Sequence, residues 1–345
     1  MAESKQNEID HQNTLTIGVI GAGPSGLSVL NAFNKELERL KANKEDVYFN
    51  VICFDKQREP GGLWNYNWQT ATDSNGVAVH NSMYRHLWSN GPKECLEMAD
   101  YSFQQHFEDK SIGSFPPRVV LRDYILGRMK HYKLMDKFDL RLNHHIIDVE
   151  EGTDSGFDLK FDNLNDGTTG SVHVDKLVVA TGHFSVPNMV HFQGFDAFNG
   201  RILHSHHFRN AQEFRGRNVL VIGSSYSAED IALQCWKFGA QSVTISYRSN
   251  PMGFKWPDRV KEVPLLKEMV NGLGPYGPTQ DAVFVDGQRV ENIDAVILCT
   301  GYLHSFPFLQ DSIRLKATNI LYPDNLYKGL IALNINKFML SLFLN

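Results

Sequence analysis

The sequence predicts an α/β chain of two doubly wound units, the second inserted into the first. Two glycine-rich turns and a matched pair of strand ends predict it. The first turn lies in LTIGVIGAGPSG at 15–26, where a short run rich in Ile and Val leads into Gly21, Gly23 and Gly26. The second lies about 200 residues on. There NVLVI at 218–222 runs into Gly223-Ser224-Ser225-Tyr226-Ser227-Ala228 and then the helical AEDIALQCWKFG. The strand ends are VDKLVVATG at 174–182 and the apolar run at 293–298 that closes on Cys299-Thr300-Gly301-Tyr302. Each carries a buried strand into a Thr-Gly turn, which suggests the two places where the chain passes between units. A G-x-G-x-x-G turn after a strand and before a helix is the fingerprint of a dinucleotide-binding βαβ unit. The predicted fold class is therefore α/β, with two Rossmann-like dinucleotide-binding domains. The expected division is a disordered lead at 1–14, the first domain at 15–183, the inserted domain at 184–293, and an incomplete return of the first domain at 294–345.

Bulk properties set the outer limits. A chain of 345 residues has room for two domains with cores of their own. With 42% hydrophobic and 21% charged residues, its composition is that of a globular protein. A net charge of −5 argues against nucleic acid or an acidic membrane surface as the main partner. Cys53, Cys95, Cys235 and Cys299 lie far apart, three of them in apolar runs, with no Cys-x-x-Cys pair. A reduced, cytoplasmic setting is the expectation. The N-terminus MAESKQNEIDHQN lacks the basic and apolar regions of a signal peptide. No run of about 18 apolar residues predicts a membrane span. The apolar stretch at 329–345 is interrupted by Asn334, Asn336 and Lys337 and reads as a strand or an abnormal end rather than an anchor.

In the first turn, Gly21 permits the tight bend, Gly23 lets the backbone approach a pyrophosphate, and Gly26 lets helix and strand pack closely. Pro24 occupies the first helical turn, where its missing N–H costs nothing. A helix over 24–41 follows, then a strand over 48–54 that ends in Asp55. An acid at the end of the second strand is where a ribose hydroxyl is bound in such units; the alternative is a solvated surface residue. Gly61-Gly62-Leu63-Trp64 is a turn that brings backbone and an aromatic ring close to a flat group, or a plain loop. The aromatic and polar stretch at 80–103 has no period, so it is either a ligand-lining loop or irregular surface.

A helix is predicted over 116–130, and strands of a small antiparallel insert over 138–149 and 157–161. In the second fingerprint the later glycines are replaced by Ser225 and Ala228, both small enough for close packing. The strand at 242–247 ends in Arg248 rather than an acid. Arginine there accommodates a 2′-phosphate that Asp or Glu would repel; the alternative is a plain surface arginine. The first site therefore reads as one for FAD and the second as one for NADP.

Between the two fingerprints, FNGRILHSHHF at 198–208 fits F-x-G-x-x-x-H-x-x-x-[FY]. With GAGPSG, GGLW and VIGSSYSAED it resembles the signature of the flavin-containing monooxygenases. MYRHLWSNGPKECLEMADYSF, GSSYSAEDIALQC and MGFKWP are most similar to the bacterial trimethylamine monooxygenase branch, and the resemblance covers 15–328. It implies FAD contacts at Gly21, Gly23, Ser25 and Gly26, with Asp55 on the adenosine ribose, where the branch more often has Glu. It implies that Gln57, Leu63, Trp64 and His80 line the flavin. For NADP it implies Trp88, Asn90, Gly223, Ser224, Ser225, Ser227, Ala228 and Arg248. Asn90 would lie between flavin and nicotinamide and be the catalytic residue, while His204 reads as a hydrogen-bonded structural histidine. No metal site is expected. The implied reaction is NADPH- and O2-dependent oxygenation of a tertiary amine or a sulfide through a C4a-hydroperoxyflavin. A homodimer is a further expectation. Two alternatives stand beside it: an uncoupled NADPH oxidase producing H2O2, and a shortened inactive paralogue that keeps nucleotide binding. The segment INKFMLSLFLN departs from the family's pattern, which places the closing strand of the first domain in question.

Overall fold

The computed structural model describes residues 14–108, 110–153, 155–271, 279–317, 323–328, 330–332 and 338–340. The lead expected to be disordered lies almost wholly outside these residues. The chain divides into two compact units. One comprises Met1–Gly62, Arg122–Gly182 and Ser305–Asn345, and the other Leu63–Leu121 and His183–His304.

The first unit is built on a mainly parallel sheet. Strand β1 (Thr14–Ile20) pairs on one side with β2 (Tyr48–Asp55), which pairs in turn with Asp139–Leu142. On its other side β1 pairs with Lys176–Val179, beside which Phe338–Leu340 adds a further parallel strand. Phe338–Leu340, within the segment expected to depart from the pattern, thus supplies the strand beside Lys176–Val179. Leu326–Tyr327 and Ile331–Ala332 extend that edge antiparallel. Ile17, Val19 and Ile20 are all buried, as consecutive residues of a sheet covered on both faces must be. Helix α1 (Pro24–Asn43) follows the fingerprint and ends at Lys44 in the left-handed region.

The expected antiparallel strand over 138–149 is corrected to two strands. Asn143, with φ of 54°, breaks the run, a conformation that asparagine tolerates better than most residues. Asp139–Leu142 before it joins the parallel sheet. His144–Glu151 after it joins an antiparallel layer with Phe157–Asn163 and Thr168–Val174. Ile146, Phe157 and Leu159 of that layer share one core with Ile20, Phe54 and Leu177 of the main sheet.

The second unit repeats the plan. Its parallel sheet runs Val260–Val263, Ser242–Ser246, Asn218–Ile222, Ala295–Leu298 and Arg201–His204. The first four, in chain order 3-2-1-4, have the strand order of a dinucleotide-binding half. Helix Tyr226–Lys237 buries Ile231, Ala232 and Cys235 against one face. A three-stranded antiparallel layer, Leu266–Asn271, Thr279–Phe284 and Arg289–Val290, covers the other through Met269, Ala282 and Phe284.

The observed division differs from the expected one in two places. Residues 63–121 fall in the second unit, and the strand Ala295–Leu298 lies within the second sheet instead of returning to the first. The return comes eleven residues later than expected, after His304. Within the second unit the ends of both crossings run side by side. Val186–Pro187 pairs antiparallel with Tyr302–Leu303, and the Thr300 hydroxyl donates to the Asn188 carbonyl at 2.6 Å. Cys53, Cys235 and Cys299 are buried, as expected, and Cys95 is exposed. Among the described residues no helix is long and apolar enough to cross a membrane, and no group of side chains has the makings of a metal site.

Candidate functional site

In the first unit the fingerprint turn is fixed by close approach of backbone to backbone. Gly21 has φ of 106°, and a Cβ there would meet the Ala180 carbonyl oxygen at 2.5 Å. A Cβ on Gly26 would lie 1.8 Å from the Gly21 oxygen, so only glycine lets this helix sit so close to its strand. Gly23 precedes the helix with φ of −75°, a value open to any residue, and a Cβ there would meet only Gly62 Cα at 3.5 Å. Gly61 and Gly62 complete the cradle. The Gly61 N–H donates to the Ala22 carbonyl at 2.9 Å, and a Cβ on Gly62 would reach 2.8 Å from Gly23 Cα. The double glycine is therefore required by the fingerprint loop itself.

Asp55 is buried, not a solvated surface residue. Its two oxygens accept from the Ala22 N–H at 2.7 Å and the Gln57 N–H at 2.8 Å. Burial raises its carboxyl above the ordinary range, against the pull of those two amides. One carboxylate thus ties the end of β2 to the fingerprint turn and keeps lone pairs for a further donor. Gln57 lies beside it, its side-chain amide donating to the Gly62 carbonyl at 3.4 Å. Ser25 is buried at the first turn of α1, whose N-terminal N–H groups and dipole favour an anion. Gly21, Gly23, Ser25, Gly26, Asp55 and Gln57 therefore come together in one unit.

The remaining candidates belong to the second unit. Gly223 has φ of 132°, and a Cβ there would meet the Cys299 oxygen at 2.3 Å, the counterpart of Gly21 on Ala180. Ala228 is fully buried where the third glycine would stand. Ser225 and Ser227 are exposed at the start of helix Tyr226–Lys237, and Ser224 is half-buried just before it. Arg248 is exposed two residues past Ser242–Ser246 and has no carboxylate partner among the described residues. It is free to meet an anion.

Leu63 and Trp64 are half-buried, as is His80. Their segments are tied side by side, because buried Asn81 donates from its side chain to the Asn65 carbonyl. Trp88 and Asn90 are exposed on either side of buried Ser89, whose hydroxyl donates to the Gly91 carbonyl at 2.6 Å.

Sequence reasoning missed Arg209. It is 5% exposed, and its guanidinium donates to the carbonyls of His206 at 2.6 Å, Phe208 at 3.1 Å, and Gln69 and Asn81 at 2.8 Å each. That fork joins the F-x-G-x-x-x-H segment to the loops that carry Trp64 and His80. The segment itself contains the edge strand Arg201–His204 and a following turn. His204 is fully buried, its Nδ1 accepting from the His206 N–H at 3.1 Å, and burial lowers its pKa to about 4. It is a structural histidine, as expected.

With the geometry in hand, comparison with known proteins decides the family. The model of the flavin-binding monooxygenase-like family matches residues 14–256 and 277–343, through both fingerprints. The chain belongs to the flavin-binding monooxygenase-like family. It is 54% identical over 91% of its length to a trimethylamine monooxygenase of Pelagibacter sp. (strain HTCC7211), and 52% identical over 94% to that of Pelagibacter ubique (strain HTCC1002). It spans 67% and 69% of those two proteins, about two thirds of their length. The crystal structure of Tmm from Pelagibacter sp. strain HTCC7211 superposes with a TM-score of 0.84 over 94% of this chain and 70% of that one. The cradle of the first unit has the features of a dinucleotide-binding turn. Gly21, Gly26 and Gly62 stand where a side chain would meet backbone, an acid closes the second strand, and a helix N-terminus faces the turn.

Proposed function

We propose that this protein is an NADPH- and O2-dependent flavin monooxygenase that oxygenates a tertiary amine, with trimethylamine and its N-oxide as the substrate and product to test first. One observation carries the reading: high identity to the Pelagibacter trimethylamine monooxygenases over more than nine tenths of the chain. Bound FAD would supply the redox chemistry, accepting two electrons from NADPH and passing them to O2. Gly21, Gly23, Ser25 and Gly26 would hold its pyrophosphate and Asp55 its ribose, with Gln57, Leu63, Trp64 and His80 toward the ring system. Gly223, Ser224, Ser225, Ser227 and Ala228 would receive the pyrophosphate of NADPH, Arg248 its 2′-phosphate, and Trp88 its nicotinamide end. The Asn90 side-chain amide has a donor and an acceptor, the equipment to orient a nicotinamide amide or to hold a proton-bearing oxygen. The protein's part is to position the reactants and exclude water.

The test is made on the purified full chain supplied with FAD. NADPH oxidation is expected to accelerate on addition of trimethylamine, with close to one N-oxide formed per NADPH. Oxidation indifferent to the amine, with H2O2 formed in its place, would overturn the oxygenase reading. Arg248→Ala is expected to raise the KM for NADPH roughly 10- to 100-fold and leave NADH little changed. That is the loss of one charge-assisted contact to a phosphate. Equal effects on both nucleotides would remove Arg248 from the 2′-phosphate site.

A further inference from the structure

The segment that carries Trp88 and Asn90 is gripped by one face of the second fingerprint helix. Asp230, Gln234 and Phe238 stand four residues apart at the inner face of that helix and just past its end, so they line up in one row. Tyr84, buried, donates its hydroxyl to the Asp230 carboxylate. Gln234, also buried, donates from one amide nitrogen to Asp230 at 3.0 Å and to the His86 carbonyl at 2.9 Å. The His86 ring stacks on Phe238 with centroids 4.9 Å apart, and Tyr84 meets Phe208 edge-on at 5.2 Å.

The intervening residues are held from elsewhere. The Arg85 N–H donates to the Arg209 carbonyl at 2.9 Å, and the Arg118 N–H to the Leu87 carbonyl at 3.0 Å. The Ser89 N–H donates to the Pro116 carbonyl at 2.9 Å. Tyr84 and His86 are thus pinned to the helix, while 85, 87 and 89 are pinned by backbone to other segments of the unit. Asn90 comes directly after the last pin.

We infer that Asp230 is a positioning residue, which with Gln234 locks the 84–90 segment onto the helix whose N-terminal turn carries Ser225 and Ser227, and so sets where Asn90 stands relative to the nicotinamide nucleotide. The inference rests on the proposed role of Asn90. Asp230 touches neither cofactor nor substrate and acts through Tyr84 and Gln234. A carboxylate suits the task. Its oxygen accepts from a phenol and an amide together, and hydrogen bonds to a charged acceptor are shorter and stronger than neutral ones. The pairing joins residues 146 positions apart in sequence, so it sets the tertiary position of the loop and not its local shape.

The experiment compares wild type with Asp230→Ala, Asp230→Asn and Asn90→Ala, each as the full chain with FAD. Two readouts are taken. Hydrogen exchange of the 84–90 segment is expected to quicken in Asp230→Ala and not in Asn90→Ala, with the strand Asn218–Ile222 unchanged. N-oxide formed per NADPH is expected to fall roughly tenfold in Asp230→Ala, as a displacement of about 1 Å at the reacting centre can cost more than that. The KM for NADPH should move less than threefold, roughly, because the phosphate contacts stay in place. Asp230→Asn keeps an acceptor for Tyr84 and should restore most of the yield, and it remains informative if the alanine variant does not fold. Unchanged exchange in 84–90, or a lowered Tm with unchanged yield per NADPH, would overturn the inference. A wild type that makes no N-oxide would overturn the oxygenase reading instead, and the exchange data would still decide whether Asp230 holds the segment.

Discussion

Three glycines of the first turn meet different demands, and two substitutions separate them. Gly26 is required by the fold. Its Cβ would overlap the Gly21 oxygen at 1.8 Å, which backbone alone can relieve by moving strand and helix apart. Gly26→Ala is expected to cost about 1–3 kcal/mol or more whether or not FAD is bound. Gly23 is different, because φ of −75° suits any residue and its Cβ would find ordinary contact at 3.5 Å. Gly23→Ala is therefore expected to keep the Tm of the FAD-free protein within about 2 °C, as surface-type changes of a few tenths of a kcal/mol do. It should nonetheless lose FAD retention, because the added methyl stands where a pyrophosphate must approach the backbone. Thermal unfolding with and without FAD checks both; if Gly23→Ala destabilised the FAD-free protein as much as Gly26→Ala, the distinction would fail.

Legibility in the sequence varied from element to element, for reasons the structure makes plain. The helix expected over 24–41 runs from Pro24 to Asn43, and the strand expected over 48–54 gains only Asp55. The helix follows a glycine turn, and the strand is a run of apolar and aromatic residues, broken only by Asn50, that closes on Asp55. Arg201–His204 gave no such signal: it is four residues long and becomes a strand by pairing with Ala295–Leu298. Thr279–Phe284 was hidden because two of its four buried positions are polar, so no apolar run marks it. Thr279 and Asp281 are buried there, Asp281 paired with Arg289 and Thr279 bonded to the Gly194 carbonyl. The candidate site divides in the same way. Its glycines, serines and Arg248 sit in contiguous turns whose spacing carries meaning, so a sequence alone nominates them. Arg209 and the grip of Asp230 on Tyr84 depend on contacts between residues more than a hundred positions apart, which no local pattern records.

At the scale of the whole molecule, the two units should respond differently to acid. His204 and His206, both buried in the second unit, have pKa values lowered to about 4. Burial is the main cause for both; after it, His204 feels His206, and His206 feels His207 and then Arg209. Both rings are neutral in the folded state at neutral pH. The unfolded chain takes up their protons near pH 6.5, while the folded chain does so only near pH 4. Their contribution to stability is therefore complete above about pH 6.5 and is lost as the pH falls through that window. Two protons give a limiting slope on the order of 3 kcal/mol per pH unit. In the first unit, Asp55 works in the opposite direction. Its raised carboxyl pKa favours the folded state at low pH, and that preference is lost as the pH rises through the folded value. All five tryptophans lie in the second unit, so their fluorescence reports unfolding there. The urea midpoint by tryptophan fluorescence is expected to fall steeply from pH 6.5 to 5, and less steeply in His206→Gln when each protein is measured against its own midpoint at pH 7. A midpoint that stays level across that window, or a slope that His206→Gln leaves as steep, would show that the buried histidines do not govern the acid response.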